Sequence, residues 1–349
     1  MRSMVFFLRR KGLMKDRGFL TPVTENFLHA FGVGKVSFDL ALKYGEDPQS
    51  AFIAGCLHDL GGAVPNNDRI EVAESLGIEL FEEERKIPLL VHAKLGRYFA
   101  RTLFDIQNVD VLDAILYHTT CIDNASTLVK IVFLADKIHW DRNGIPPYLN
   151  GLLKALEISL DQACEYFIRW LWDSELYIVH PFLLRSYDYY VNKNPNPRKD
   201  VYFREESLPK VSKELIEKYY LVEIKNEFVR TFVMGEKAVE FYTEARGEES
   251  SEKAYLAAVL SNCLNTVTNL ELRDIALHVG LTSTQNLEII REKLTCYFAK
   301  EEYKIYDSSI LNTLSHHRHG ENVKDEVCVA VNRAYEYVNN STRIGECNE

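Results

Sequence analysis

The sequence predicts an all-α protein made of two helical domains in tandem. Three observations carry that expectation. Apolar residues recur at a 3.6-residue spacing along most of the chain, and no stretch sustains the period-two alternation of a half-buried strand. The segment Asn194-Pro195-Asn196-Pro197-Arg198-Lys199-Asp200 is polar and proline-punctuated, the one strong linker signal in the chain. Four segments of the front half are also echoed, in the same order, about 200 residues further on.

The first helix is expected to start at Thr21-Pro22, with Glu25 in its first turn. These supply a cap, a proline where no backbone donor is needed, and an acid at the positive helix end. Phe27, Phe31, Val33, Val36, Phe38, Leu40 and Ala41 carry it to about Tyr44, with His29 inside and Gly45 as its stop. A second helix runs from about Pro48 to Leu60 and ends in His58-Asp59, followed by Gly61-Gly62. Its small apolar residues demand burial, yet an imidazole and a carboxylate are costly to bury without partners, and a metal ion would satisfy both. Adjacent helical residues point about 100° apart, so the pair does not face one ion as an i, i+4 pair does. It suits neighbouring ions or a bridging position.

After the polar loop Pro65-Asn66-Asn67-Asp68, helices are expected at about Arg69–Leu76, at Pro88–Phe104 with His92 near its start, and at Val109–His118. The helix Ala125–Ile138 embeds Asp136 in Leu134-Ala135-Asp136-Lys137-Ile138. Helices at Tyr148–Glu157 and Ser159–Asp173, then a tyrosine-rich segment from Pro181 to Tyr190, close the front half.

In the rear half Phe228–Gly235 echoes Phe27–Gly34, and Ala254–Asn262 echoes Ala51–Asp59. Likewise Ile290–Ala299 echoes Val91–Ala100, and Ile310–His317 echoes Val111–His118. The apolar positions persist. His29, however, becomes Arg230, His58 becomes Ser261, Asp59 becomes Asn262 and His92 becomes Arg291, while His118 keeps an imidazole partner in His317. Coordinated loss of polar residues inside a retained apolar frame points to a joint role in the front copy. His29, His58, Asp59, His92, His118 and Asp136 have the number and type of donors for one or two first-row transition ions. Imidazole favours Fe, Mn or Zn over Ca or Mg. Cys56 reads as core.

Composition sets the outer bounds. A chain of 349 residues with 46% hydrophobic content can bury substantial cores. A net charge of −10 and a pI near 5.6 argue against a general nucleic-acid or acidic-membrane surface. Seven scattered cysteines without a CxxC pair suit reduced thiols in a cytosol. Val5-Phe6-Phe7-Leu8 is too short for a signal peptide and precedes its charges, so no export is expected and the location is read as cytoplasmic. No run is long and apolar enough for a membrane span.

On these residues the sequence resembles the HD superfamily of metal-dependent phosphohydrolases, whose pattern is H…HD…H…H…D, and most of all its bacterial YqeK type. The likeness rests on His29 in Phe-Leu-His-Ala-Phe-Gly-Val, His58-Asp59 in Ala-Gly-Cys-Leu-His-Asp-Leu and His92 in Leu-Leu-Val-His-Ala. It continues with His118 in Ala-Ile-Leu-Tyr-His-Thr-Thr and Asp136 in Ile-Val-Phe-Leu-Ala-Asp-Lys-Ile, and spans about Leu20 to Tyr190. The resemblance implies an HD bundle with a metal centre of one or two ions, iron first, with manganese, cobalt or zinc as alternatives. Taken with the internal echo, it makes the rear half a second, HD-like bundle without the ligands. The implied reaction is symmetrical hydrolysis of a dinucleoside polyphosphate, diadenosine tetraphosphate to two ADP. Asp59 would bridge and act in catalysis. Lys137 and Arg142, just after Asp136, are read from the residues themselves as catalytic groups that hold the substrate phosphates, and Thr119 as a further substrate contact or a helix cap. Leu60-Gly61-Gly62 stands where many relatives carry a lysine, and His139-Trp140-Asp141-Arg142 where the family tends towards Glu-Pro-x-Arg. The missing lysine motivates the alternative of a nucleotide or alarmone sensor.

The expected layout is a tail at 1–17, an HD domain at 18–192, a linker at 193–207, a degenerate HD-like domain at 208–340 and a tail at 341–349. The partners expected are a nucleotide substrate, no nucleic acid and no membrane, in a monomer or homodimer.

Overall fold

The computed structural model describes residues 20–139, 145–196, 209–281, 286–316 and 325–345. Among the described residues there are α-helices and short turns of tighter or wider helix, and no strand, in agreement with the all-α reading. No described helix is long and apolar enough to cross a membrane. The expected tail at 1–17 and most of the linker, 197–207, lie outside the described residues. The chain divides into two compact units, Gly32–Val222 and Met1–Phe31 with Glu223–Glu349, so helix α1 (Leu20–Tyr44) contributes to both.

The unit Gly32–Val222 is organised around α2 (Pro48–Leu57), which packs on α6 (Val109–Tyr117) and α7 (Thr127–Ile138). Asp47 caps α2 by accepting from the Ser50 N–H at 2.8 Å, and Pro48 follows where no donor is required. Ala51, Phe52, Ala54, Gly55, Cys56 and Leu57 are all buried, as a helix apolar on every side requires. The regular helix stops at Leu57, three residues before the expected end. Asp59 has left helical geometry (φ −100°, ψ 16°) and a 3₁₀ turn, Leu60–Ala63, follows.

That turn lies against α5 (His92–Leu103), which also packs on α6. Between turn and α5 come α3 (Arg69–Ser75), α4 (Glu82–Lys86) and a 3₁₀ turn, Pro88–Val91. The helix expected from Pro88 therefore begins as this tighter turn, and His92 opens the α-helix proper. Helices α8 (Leu149–Ile158) and α9 (Leu160–Trp172) pack on each other, and α9 also packs on α7. The unit continues through α10 (Pro181–Ser186), a π turn, Tyr187–Val191, and α11 (Lys213–Lys218).

The other unit holds α12 (Leu221–Arg246) from Glu223 onward, α13 (Ser251–Ser261), α14 (Asn269–His278), α15 (Leu287–Glu301), α16 (Ser308–His316) and α17 (Glu326–Gly345). The buried α13 is central here, packing on α15, α16 and α17. Phe27 of α1 stacks on Phe228 at 4.2 Å between ring centroids. His317, the imidazole that the echo pairs with His118, lies outside the described residues.

Candidate metal centre

Each functional side chain sits at or near the end of a helix, where the backbone changes direction. His58 directly follows α2 and Asp59 the break after it; His92 opens α5, His118 follows α6, and Asp136 lies in the last turn of α7. Caps hold two of these helices in register. The Asn108 side chain accepts from the Asp110 N–H at the start of α6, and Ser126 Oγ from the Val129 N–H at the start of α7.

The three imidazoles share one backbone arrangement. His58 Nδ1 lies 2.7 Å from the Gly55 carbonyl, His92 Nδ1 2.6 Å from the Leu89 carbonyl, and His118 Nδ1 2.8 Å from the Ile115 carbonyl. A carbonyl oxygen only accepts, so each Nδ1 carries the proton and each Nε2 is turned inward. His92 Nε2 and His118 Nε2 then stand 2.9 Å apart. Asp59 Oδ1 lies 3.3 Å from the first and 3.6 Å from the second. On the other side His58 Nε2 is 3.5 Å from Asp136 Oδ1 and 3.7 Å from Asp59 Oδ2. Within this unit two triads of donor atoms each close within 4.8 Å, His58–His118–Asp136 and Asp59–His92–His118, with His118 in both.

Charge follows from that geometry. Burial pushes His92 down to about 4, aided by His118 and by the Arg69 guanidinium against the pull of Asp59. Burial likewise lowers His118. For His58 burial acts in the same direction, but Asp59 and Asp136 outweigh it and raise the ring to about 9. Asp59 resists its own burial because His58, His118 and His92 surround it, and its carboxyl is held well below the usual range. His92 and His118 are therefore neutral at pH 7 and direct two lone pairs at one another, while a proton on His58 offsets part of the carboxylate charge. A divalent cation fits this donor set: it would relieve the facing lone pairs and replace that proton.

Of the other residues singled out, Thr119 places Oγ1 3.0 Å from His118 Nε2 and 3.3 Å from His92 Nε2. Lys137 donates to Asp136 Oδ2 at 2.5 Å and to the His118 carbonyl at 3.3 Å, with its ammonium over Phe133 and Phe167. It is thus engaged with a candidate ligand. His29 is buried on α1, in the part of that helix belonging to the other unit. Arg142 lies outside the described residues. Cys56 is buried, as a core residue.

Sequence reading missed the carbonyls that fix the imidazoles, and a buried group beside the centre. Lys94 donates to Glu84 Oε2 and to the Glu79 carbonyl, both at 2.7 Å, and His180 Nε2 lies 3.2 Å from Glu84 Oε1. Charged residues inside the apolar spacing of α5 are the one trace that Lys94 left in the sequence.

A profile described as HD domain matches residues 26–141, a span that contains all six candidate ligands. A protein of Lactococcus lactis subsp. cremoris, known as an uncharacterized protein in the pepC 5′ region, is 47% identical over 136 residues, 39% of this chain and 70% of that protein. The symmetrical bis(5′-nucleosyl)-tetraphosphatase of Halalkalibacterium halodurans is 37% identical over 137 residues, 38% of this chain and 70% of the relative. That of Bacillus subtilis is 31% identical over 144 residues, 40% of this chain and 75% of the relative.

Proposed function

This chain belongs to the HD-domain phosphohydrolases and is related over about 40% of its length to symmetrical bis(5′-nucleosyl)-tetraphosphatases, and from that premise we propose that it splits a dinucleoside polyphosphate symmetrically. The substrate we infer is diadenosine tetraphosphate, cleaved to two ADP. The observation that carries the reading is the pair of neutral imidazoles whose Nε2 atoms face each other at 2.9 Å beside the Asp59 carboxylate. We assign His29, His58, Asp59, His92, His118 and Asp136 as the metal donors, with iron first and manganese, cobalt or zinc as alternatives.

Such an ion, when bound, supplies a Lewis acid that offsets phosphoryl charge and makes water acidic near neutrality. The chain's own groups do the rest. Asp59, ionised at neutral pH and 40% exposed at its side chain, accepts a hydrogen bond from water and orients it. Thr119 Oγ1, Lys137 Nζ and Arg142 are assigned to the phosphates. The carbonyls of Gly55, Leu89 and Ile115 keep the three rings from turning.

The test is hydrolysis of diadenosine tetraphosphate with Fe, Mn or Co, with the products separated. ADP alone is expected, whereas ATP with AMP contradicts symmetrical cleavage. A panel of nucleoside triphosphates and cyclic dinucleotides checks the substrate class.

We read the rear helices as a second HD-like copy in which fixed guanidinium charge replaces the ion. Asn265 donates to Asn262 Oδ1 at 2.7 Å, and Arg291 donates to the Leu264 carbonyl. Burial raises the carboxyl of Glu227, against which Arg230, Asn265 and Arg291 all act. Two positions that the echo equates with His29 and His92, Arg230 and Arg291, thus meet around one acid, and Asn262, the counterpart of Asp59, is joined to it through Asn265, which supports the reading. Elemental analysis tests it: with His58→Ala and Asp59→Ala combined, metal content should fall to zero, and a retained half would contradict a metal-free rear copy.

A further inference from the structure

We propose that Arg69 is a positioning residue of the metal centre, fixing His92 through a carbonyl that the two side chains share. The inference rests on the reading of His92 as a metal donor. Arg69 opens α3 and is 7% exposed. Its Nε donates to the Val64 carbonyl at 3.0 Å, and its Nη1 to Asn66 Oδ1 at 3.3 Å and to the Leu89 carbonyl at 3.1 Å. That last oxygen is also the acceptor for His92 Nδ1, at 2.6 Å, and for the His92 backbone N–H.

The three rings differ in what holds their carbonyl. Gly55 lies in the last turn of α2 and Ile115 in the last turn of α6, so helical backbone orients those two oxygens. Leu89 belongs to the 3₁₀ turn Pro88–Val91, outside any α-helix, and the residue is 55% exposed. A carbonyl in a short tight turn has weaker hydrogen-bond geometry behind it than one in an α-helix. Arg69 adds a second anchor to the one that the His92 N–H provides. One planar fork reaches the segment that follows Asp59, at Val64 and Asn66, and the turn that precedes His92, at Leu89. It therefore sets the spacing of the two chain segments that bring Asp59 Oδ1 and His92 Nε2 to 3.3 Å. Lysine cannot reproduce this, because a single ammonium does not present the rigid fork.

The test is a titration of metal-free protein with Co2+, followed by visible absorption, for the wild type, Arg69→Lys and Arg69→Gln. Thermal melting of each metal-free variant runs alongside. Both variants are expected to bind Co2+ about tenfold more weakly per folded molecule, the range seen when groups that orient ligands are removed. Equal affinity, even with a lowered melting temperature, overturns the proposal and leaves Arg69 as scaffold only. Asn66→Ala, which removes only the acceptor at 3.3 Å, keeps the test decisive should both Arg69 variants fail to fold. It is expected to bind more weakly, and unchanged binding again overturns the proposal. Failure of the wild type itself to bind Co2+ sinks the metal reading instead.

Discussion

Replacing Gly61 by alanine probes the closest approach in the centre. A Cβ there would stand 2.0 Å from the His92 carbonyl oxygen and 2.7 Å from the Gly96 backbone nitrogen. Both obstacles are main chain, so no side chain can swing aside. Restoring ordinary contact near 3.4 Å requires α5 and the Leu60–Ala63 turn to separate by about 1.4 Å, the difference between 3.4 and 2.0. His92 opens α5, so its ring moves with the helix away from Asp59. Overpacking of this kind costs about 1–3 kcal/mol. A misplacement near 1 Å in a reacting constellation costs on the order of a hundredfold in rate. Gly62 is the control, because a Cβ at that position meets nothing within 4 Å. Urea unfolding of the metal-free proteins, Co2+ titration and turnover of diadenosine tetraphosphate are the assays. Gly61→Ala should lose on all three measures and Gly62→Ala on none. If the two variants are alike, the backbone contact does not set the geometry of the centre.

Other outcomes follow from the same geometry. Asp136→Asn and His118→Ala should each lose bound metal together with hydrolysis, read by elemental analysis and product formation, and persistent turnover in metal-free protein would contradict the mechanism. His58 is raised to about 9, so its stabilisation is complete below its unfolded value of 6.5 and is lost as pH rises through 9. His92 is depressed to about 4, so its contribution is present above 6.5 and is lost as pH falls through 4. Urea unfolding of metal-free protein should therefore show the greatest contribution from this pair near pH 6.5. Metal binding at pH 7.5 should release close to one proton, from His58, measurable by calorimetry in buffers of different ionisation enthalpy. Lys94→Met removes the ammonium beside Glu84, itself 1% exposed, leaving it His180 and the Phe81 N–H, and should destabilise the fold by about 3 kcal/mol in urea unfolding.

Helix positions were legible because most helices here bury a stripe, and 3.6-residue spacing records that directly. The ends were less so. Asp59 leaves helical geometry after His58, and that change of direction, set by packing against α5, gives the two side chains different neighbours. The short helix Glu82–Lys86 left no apolar period, being held instead by the Glu84 side chain accepting from the Phe81 N–H at 2.7 Å. His58, Asp59, His92, His118 and Asp136 stood out because polar groups inside apolar helices demand an explanation. Arg69, Glu84 and His180 did not, since a charge in a polar stretch gives no sign of burial. Their roles come from separations such as the 96 positions between Glu84 and His180, which no local pattern encodes.

His118 belongs to both donor triads of the Gly32–Val222 unit. Its Nδ1 is committed to the Ile115 carbonyl, so a single inward lone pair, on Nε2, serves one cation at a time and the two triads are overlapping groupings. Deleting this ring takes a donor from both, whereas trimming His58 or His92 leaves one triad whole. A lineage that shed its donors one at a time would be expected to surrender this histidine last.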